Sequence, residues 1–250
     1  MAAPIVLVEV ALFGAVVWKL RRVHQRYRQL RPAAIYATDA VAESLRSVFG
    51  SHFLVRLLVT ECLLTVLALF GWFTEFRTRD ARWRSFTYHQ KSLYPVLLLV
   101  FVLLTGLETV ALHLLVQRWS PAAAWVLTAL SVYGILWMLG DFHAVRLHPI
   151  VLAGERLHLR TGLRWLVTLQ LQDIEALQTP RQQDARSPGY LNMAPIGEPH
   201  IVLALKRPAR ATGLFGRTKD VSRIGLFLDD VAAFRAQLDL QRQASQSREA

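Results

Sequence analysis

Apolar positions fall in long unbroken runs up to Gly140 and in short alternating runs after it, and this change of rhythm divides the chain into two parts. The long runs are Pro4 to Trp18, Phe53 to Phe73, Tyr94 to Val116 and Ala122 to Leu139. Each approaches or exceeds the ~17 to 25 residues that a helix needs to cross a hydrocarbon core. The pattern therefore predicts an α-helical membrane bundle of about four transmembrane helices over residues 1–140, with spans near 4–18, 53–73, 94–116 and 122–139. Pro121, after the Arg118-Trp119-Ser120 turn, suits the first turn of the last helix. A weaker periodicity over Thr38 to Phe49 suggests a short amphipathic surface helix.

Past Gly140 the sequence reads as strands. Arg156 to Arg160 alternates, Thr161-Gly162 makes a turn, and Leu163 to Leu171 alternates again through Trp165, Val167 and Leu169, which is a hairpin with one buried face. Ile174 to Leu177, Ile201 to Leu205 and Val221 to Leu228 have the same character. Pro180 to Pro199 is rich in Pro, Gly, Gln and Asp and reads as a loop with a short strand around Tyr190 to Met193, and Pro208 to Gly216 reads as a turn segment. Asp229 and Asp230 stand where a helix N-cap and first-turn acid belong, before Val231, Phe234 and Leu238 at helical spacing. Residues 141–241 thus form an α+β or all-β domain, a sandwich or half-barrel closed by a C-terminal helix, and 242–250 a polar tail.

Composition adds a location. Apolar residues make up 53% of the chain, and the net charge is +11. Much of the excess is arginine beside the apolar runs: Arg21, Arg22, Arg26, Arg28 and Arg31, then Arg77, Arg79, Arg82 and Arg84. Such clusters set topology and attract anionic lipid; they hug the membrane instead of forming a recognition stripe, which argues against nucleic acid. Counting Lys and Arg on the two faces of a four-span arrangement gives nearly equal totals, so charge alone does not orient the chain. If the first run, which carries Glu9, enters from the inside, or one early run dips in without crossing, the loop around Arg82 and the C-terminal domain lie in the cytoplasm. That placement, in a multi-pass protein of the inner or plasma membrane, is the expectation taken forward. Trp83, Phe86 and Tyr88 among the arginines of Thr74 to Lys91 suit an interfacial loop with its rings at headgroup depth. The single cysteine, Cys62, excludes an intramolecular disulfide and any zinc site of several cysteines.

Ionisable groups inside apolar helices usually face a bundle interior and find partners. Counted from a hairpin centred near Trp83, Arg56 lies level with Glu108 and His52 with His113, which suggests an Arg56–Glu108 ion pair with the two histidines in the same layer. Alternatively Glu61, Glu108 and His113 line a proton or ion path in a transporter or membrane enzyme, although no internal repeat of the kind that marks such proteins is visible. Gly106 and Gly134 are places for helices to approach closely. There is no zinc-protease helix, nucleophile elbow or P-loop, and the spacing of Asp141, His143 and His148 matches no standard ligand set. Neither catalytic residues nor a metal or cofactor are expected.

The run Leu152-Ala153-Gly154-Glu155-Arg156-Leu157-His158-Leu159-Arg160-Thr161-Gly162-Leu163-Arg164-Trp165 resembles the opening hairpin of bacterial membrane proteins that carry a pleckstrin-homology-like domain. The Gln172-Asp173-Ile174 step, the end of the Ile201 to Pro208 strand, the Gly213-Leu214-Phe215-Gly216 turn and the Leu228-Asp229-Asp230 helix entry fit the same pattern, over roughly the last two-fifths of the chain. The resemblance implies a sandwich of about seven strands capped by a C-terminal helix. It further implies a non-enzymatic module that contacts protein, lipid or its own copies. The long Pro180 to Pro199 loop departs from the compact form. Arg156, Arg160, Arg164 and Trp165 on the hairpin, with Lys206, Arg207, Arg217 and Lys219 on the late loops, are the candidate binding surface for a protein partner, a second copy or anionic lipid headgroups.

Overall fold

A computed structural model describes residues 3–78, 80 and 82–249, so Arg79 and Ala250 lie outside the described residues. It contains six α-helices and an eight-stranded mixed sheet, and the chain divides within its third helix into two compact units, Met1–Leu63 and Leu64–Ala250. In the first unit, α1 (Ala3–Leu30) packs on α2 (Ala37–Phe49), with the Lys19 ammonium 5.1 Å from the Phe49 ring centre. The periodicity over 38–49 is amphipathic as expected, with Ala40, Ala42 and Ser44 on the buried side of α2.

Among the described residues three helices are long and apolar enough to cross a membrane: the segment Phe53–Phe73, which comprises α3 (Phe53–Phe70) and one tighter turn, α4 (Tyr94–Val116) and α5 (Pro121–Leu147). The first apolar run, expected as a fourth span, is part of α1, which continues through the basic cluster to Leu30. Ser120 caps α5 by accepting from the Ala123 amide at 3.3 Å, and Pro121 occupies the first turn, where a missing N–H costs nothing. α4 and α5 form the antiparallel pair, with apolar side chains such as Leu103 and Leu107 of α4 65% and 70% exposed. That surface is compatible with lipid contact.

The close approach expected at Gly106 and Gly134 is not made there, since a Cβ at either would meet nothing within 4 Å. It is made at Gly140 instead. A Cβ on Gly140 would run into the Leu64 carbonyl of α3, and one on Gly71 would strike the His143 ring of α5. The missing side chains at these glycines let the end of α3 lie directly on α5.

Strands β1 (Arg84–Phe86), β2 (Ile150–Ala153), β3 (Arg156–Thr161), β4 (Trp165–Gln170), β5 (Ile174–Gln178), β6 (Tyr190–Asn192), β7 (Ile201–Gly213) and β8 (Thr218–Leu226) make one sheet in the order β1-β2-β3-β4-β7-β8-β6, with β5 also on β7. Among the described residues only the β6–β8 pair is parallel. β7 pairs with three strands: β8 lies along one edge, and on the other Val202 to Leu205 pair with β5 and the last two residues, Thr212 and Gly213, pair with β4. The register along β8 shifts between Ala204 and Ala209, and Pro208 sits in that irregularity, where no ladder amide is needed. The turn expected over 208–216 therefore shrinks to Leu214–Gly216, with Phe215 at φ 57. α6 (Val231–Glu249) lays Phe234 and Leu238, both fully buried, against Leu152, Leu157, Leu159, Ile174, Leu203 and Ile224. Each such side chain contributes about 1.5 to 3 kcal/mol by leaving water.

Strand β1 lies in the loop between α3 and α4. The sequence reading placed the rings of that loop at headgroup depth, but Arg84, Ser85 and Phe86 pair antiparallel with Leu152, Val151 and Ile150, Phe86 meets Phe234 edge-on at 5.1 Å, and Tyr88 is buried in the domain core at 1% exposure. A three-residue strand is too short to show a period. α5 runs on past residue 141 to Leu147, and β1, which precedes α4 in the chain, pairs with β2.

Candidate functional site

Two features of the second unit stand out: a buried polar junction where α4 and α5 meet the sheet, and an open basic cleft in the sheet. The junction is built from the end of α5. Asp141, 4% exposed, accepts from the Tyr94 hydroxyl at 2.6 Å and from the Arg164 guanidinium with the same carboxylate oxygen. Arg164 also donates to the Pro195 carbonyl at 3.2 Å and lies 5.7 Å from the Tyr94 ring centre. Arg164 projects from the β3–β4 turn, and Gly162 in that turn has φ 51, a conformation glycine adopts without strain. A Cβ on Gly162 would come 3.1 Å from Val145 of α5, so the turn is seated on the helix.

Neighbouring bonds close the junction. The Gly162 amide donates to the Tyr88 hydroxyl at 2.9 Å, the Arg160 Nε donates to the Gly162 carbonyl at 2.9 Å, and the Thr161 hydroxyl donates to the Met193 carbonyl at 2.7 Å. Burial pushes the Tyr88 phenol well above the usual range, so it stays neutral as an acceptor. Burial holds His148 well below the ordinary histidine value, and the Arg160 guanidinium adds to the effect.

Asp229, expected to cap α6, instead accepts from the amides of Gln90 and Lys91 at 3.1 and 2.8 Å, pinning the loop before α4 to the domain. Burial would raise its pKa, but these amides and the Thr87 hydroxyl outweigh burial and hold it below the usual carboxylate range. Asp230 takes the capping role, accepting from the Ala233 amide at 2.9 Å. At the end of α3, Arg146 donates to the carbonyls of Gly71 and Thr74, and the buried His143 ring meets Trp72 edge-on at 4.4 Å. The bonds made here fix the geometry of the junction, while both ring nitrogens of His143 and the Nε of Arg146 are buried without a hydrogen-bond partner among the described residues.

The cleft lies where β4 and β7 part. Arg156 and Thr168 to Gln170 form one wall and Asp173 with Arg207 to Arg210 the other, around about 540 Å³ of open space. Arg207 pairs with Asp173 at 3.0 Å, and Arg210 reaches the Thr218 hydroxyl only at 3.4 Å. Among the described residues no group of three or more His, Cys, Asp or Glu side chains converges as a metal site. Comparison of the chain with protein-family models, with curated proteins and with solved structures yields no match.

The candidate residues separate in space. Arg160 is 6% exposed and Arg164 is committed to Asp141, so both leave the candidate surface for the junction. Trp165 is half-buried, its ring 2.9 Å from where a Cβ on Gly213 would stand. Arg156 and Arg207 enter the cleft, while Lys206 and Arg217 are exposed outside it, and exposed Lys219 donates to the Tyr190 carbonyl at 2.7 Å. In the helices, His113 contacts the Thr128 hydroxyl at 2.7 Å and the Trp125 ring at 5.0 Å, a cross-link between α4 and α5, and Glu108 is exposed on α4. Arg56 donates to the Ser51 carbonyl at 3.0 Å, Glu61 is half-buried and His52 is exposed. Arg56, Glu61 and His52 belong to the first unit and Glu108 and His113 to the second, so the Arg56–Glu108 pair stands as an expectation of the sequence. No pattern in the sequence marks Tyr94 or the role of Asp141. The signal is an acid two residues past an apolar run, whose partner Arg164 lies 23 positions on.

Proposed function

We propose that this chain is a non-enzymatic interaction protein anchored in the inner or plasma membrane, with a pleckstrin-homology-like domain that engages a protein partner on the cytoplasmic side. The observation that carries the reading is the mounting of the domain. Strand β1 comes from between two candidate spans, and the Tyr94–Asp141–Arg164 cluster joins both helices to the sheet. Because the α3–α4 loop is part of that sheet, loop and domain share one side of any membrane that α4 and α5 cross. A domain held this way presents its surface at a fixed attitude to the bilayer, and confinement there raises its effective concentration toward other membrane proteins. The polar groups of the spans support this reading over transport: His113 is used to join α4 to α5, and Glu108 lies on the outward side of α4.

The test is site-specific photo-crosslinking in intact membranes of the full chain, with the crosslinking residue placed in turn at Arg156, Lys206, Arg217 and Lys219. A discrete protein adduct from at least one of these positions is expected. Adducts to lipid alone, or loss of cellular activity in Glu108→Gln while the protein still inserts and assembles, would overturn the reading. A reporter fused at Ala250 checks the sidedness.

A further inference from the structure

We propose that the cleft between β4 and β7 is a docking site for an acidic, extended peptide segment, which adds as a strand to the open edge of β4 and offers carboxylates to Arg156 and Arg210. The proposal rests on the reading of the domain as a protein-interaction module and names the chemistry of its partner.

The backbone of β4 is the first reason. Against β3 it is paired along its whole length, from Trp165 opposite Thr161 to Gln170 opposite Arg156, but against β7 only Trp165 and Leu166 are paired. From Val167 to Gln170, alternate amides and carbonyls face the cleft with no ladder partner among the described residues. Unpaired edges of this kind are templates for another strand, and proteins usually cover or charge them. β7 does not close this one, because its register shifts between Ala204 and Ala209 and Pro208 on the cleft wall has no amide to give. The gap is thus a consequence of the sequence of β7 and not of loose packing.

Charge is the second reason. Three guanidinium groups, Arg156, Arg207 and Arg210, flank the space together with one carboxylate, Asp173, which Arg207 already holds at 3.0 Å. Arg156 and Arg210 are left over. A carboxylate is what this cleft already binds from within, and a peptide would bring more of them on a backbone that satisfies the edge, which is the β-augmentation mode of recognition. A free phosphate dianion would face Asp173 and leave the β4 edge unpaired. A lipid headgroup is disfavoured by position: Arg156 lies five residues along β3 from Thr161, at the turn that meets α5, about 17 Å of strand or roughly two Debye lengths at physiological salt.

The experiment uses the full chain in nanodiscs of neutral phosphatidylcholine and a fluorescein-labelled octapeptide alternating glutamate with valine, read by anisotropy. Saturable binding is expected, weakened at least tenfold in Arg156→Glu with Arg210→Glu and also in the milder Arg156→Gln with Arg210→Gln, both with an unchanged thermal midpoint. The same charge change at the exposed Arg181 and Arg235, outside the cleft, should alter affinity less than twofold. A peptide N-methylated at alternate amides keeps its charge but loses its edge bonds, and it too should bind at least tenfold more weakly. The proposal is overturned if the octapeptide does not bind, if the control pair loses as much as the cleft pair, if the N-methylated peptide binds equally well, or if binding appears only when phosphatidylglycerol enters the nanodisc. In the crosslinking test, protein adducts from Lys219 or Arg217 that persist in the cleft variants would sink the cleft and leave the module reading standing.

Discussion

Tyr88 is where the α3–α4 loop is most deeply built into the domain, and its replacement measures how firmly. Its ring is 1% exposed and its hydroxyl accepts the Gly162 amide at 2.9 Å. Tyr88→Phe keeps the ring and removes the acceptor. The Gly162 amide, buried between the loop and α5, has no room for water in exchange, so the cost is that of a buried unsatisfied donor, about 1 to 3 kcal/mol. Tyr88→Ala also opens a cavity under β3 and should cost about 3 to 5 kcal/mol, as other aromatic truncations in cores do. Hydrogen exchange by mass spectrometry on the full chain in detergent reads this locally. Opening of β3 and β4, followed in peptides spanning 156–170, should accelerate roughly 5- to 150-fold in Tyr88→Phe and more in Tyr88→Ala, with exchange in the middle of α4 unchanged. If both variants leave exchange across 156–170 within twofold of the wild type, the loop is not part of the domain and its rings belong at headgroup depth, as the spacing of Trp83, Phe86 and Tyr88 first suggests.

Three further outcomes follow from the same geometry. Asp141→Asn leaves Arg164 without its counterion in a largely dry site; because Arg164 keeps 34% of its side chain in solvent, the loss should be near the low end for a broken buried pair, about 3 kcal/mol, read as a lower denaturation midpoint, and a change below the measurement error would show that the pair is not structural. Gly140→Ala forces a Cβ onto the Leu64 carbonyl and should part α3 from α5, seen as faster hydrogen exchange over residues 64–74, whereas Gly134→Ala, whose Cβ meets nothing within 4 Å, should leave exchange there unchanged. On acidification the protein should lose stability from about pH 7 downward. His148 and His89 are both held below the usual value, chiefly by burial, although Asp229 opposes the shift at His89. Unfolded, each binds a proton near pH 6.5, while folded it does not, so the unfolded state gains protons as pH falls. Stability is complete above that value and declines below it, by up to about 1.4 kcal/mol per pH unit for each histidine. A midpoint that is flat or rising between pH 7 and 5 would contradict the assignment.

Elements with a long or repeated signal were legible in the sequence. Three of the apolar runs became helices of spanning length, the hairpin at Arg156 to Leu171 turned at Gly162 as read, and Phe234 and Leu238 at helical spacing lie in the core. What stayed hidden was long-range or very short. Three residues of β1 carry no measurable alternation, and their partner is 66 positions away at Ser85–Val151. The basic residues misled for a related reason. Arg156, Arg160 and Arg164 are equally charged and closely spaced, so the sequence offers them as one patch. Arg156 and Arg160 do share one face of β3, yet Arg160 is covered where it donates to Gly162 beside α5 and the turn sends Arg164 onto Asp141, leaving Arg156 exposed. The same limit applied to the helix glycines. Gly106 and Gly134 sit mid-run where packing motifs are sought, whereas Gly140 and Gly71 sit at the ends, where the neighbour that needs the space becomes known only from the fold.

How the domain is joined to the helices constrains what it can do. α5 ends at Leu147 and β2 begins at Ile150, so the direct connection is His148 and Pro149, the first buried and the second with a fixed φ. A flexible tether lets a domain sample a wide volume above a membrane and search for partners. Here the connection is short and braced twice more, by β1 and by Arg164 on Asp141. A domain braced in this way cannot range far from the helix ends, so the partner proposed for it would have to come to it. Force or displacement applied at the cleft passes along β4 to the turn at Gly162 and from there to Val145 of α5, through contacts that are covalent, hydrogen-bonded or in van der Waals touch. If the proposed binding on the sheet occurs, these contacts couple it to the α4–α5 pair, and lengthening the 148–149 connection with glycine should weaken that coupling less than Asp141→Asn does, because the polar cluster bears the load that the connection alone would carry in a tethered domain.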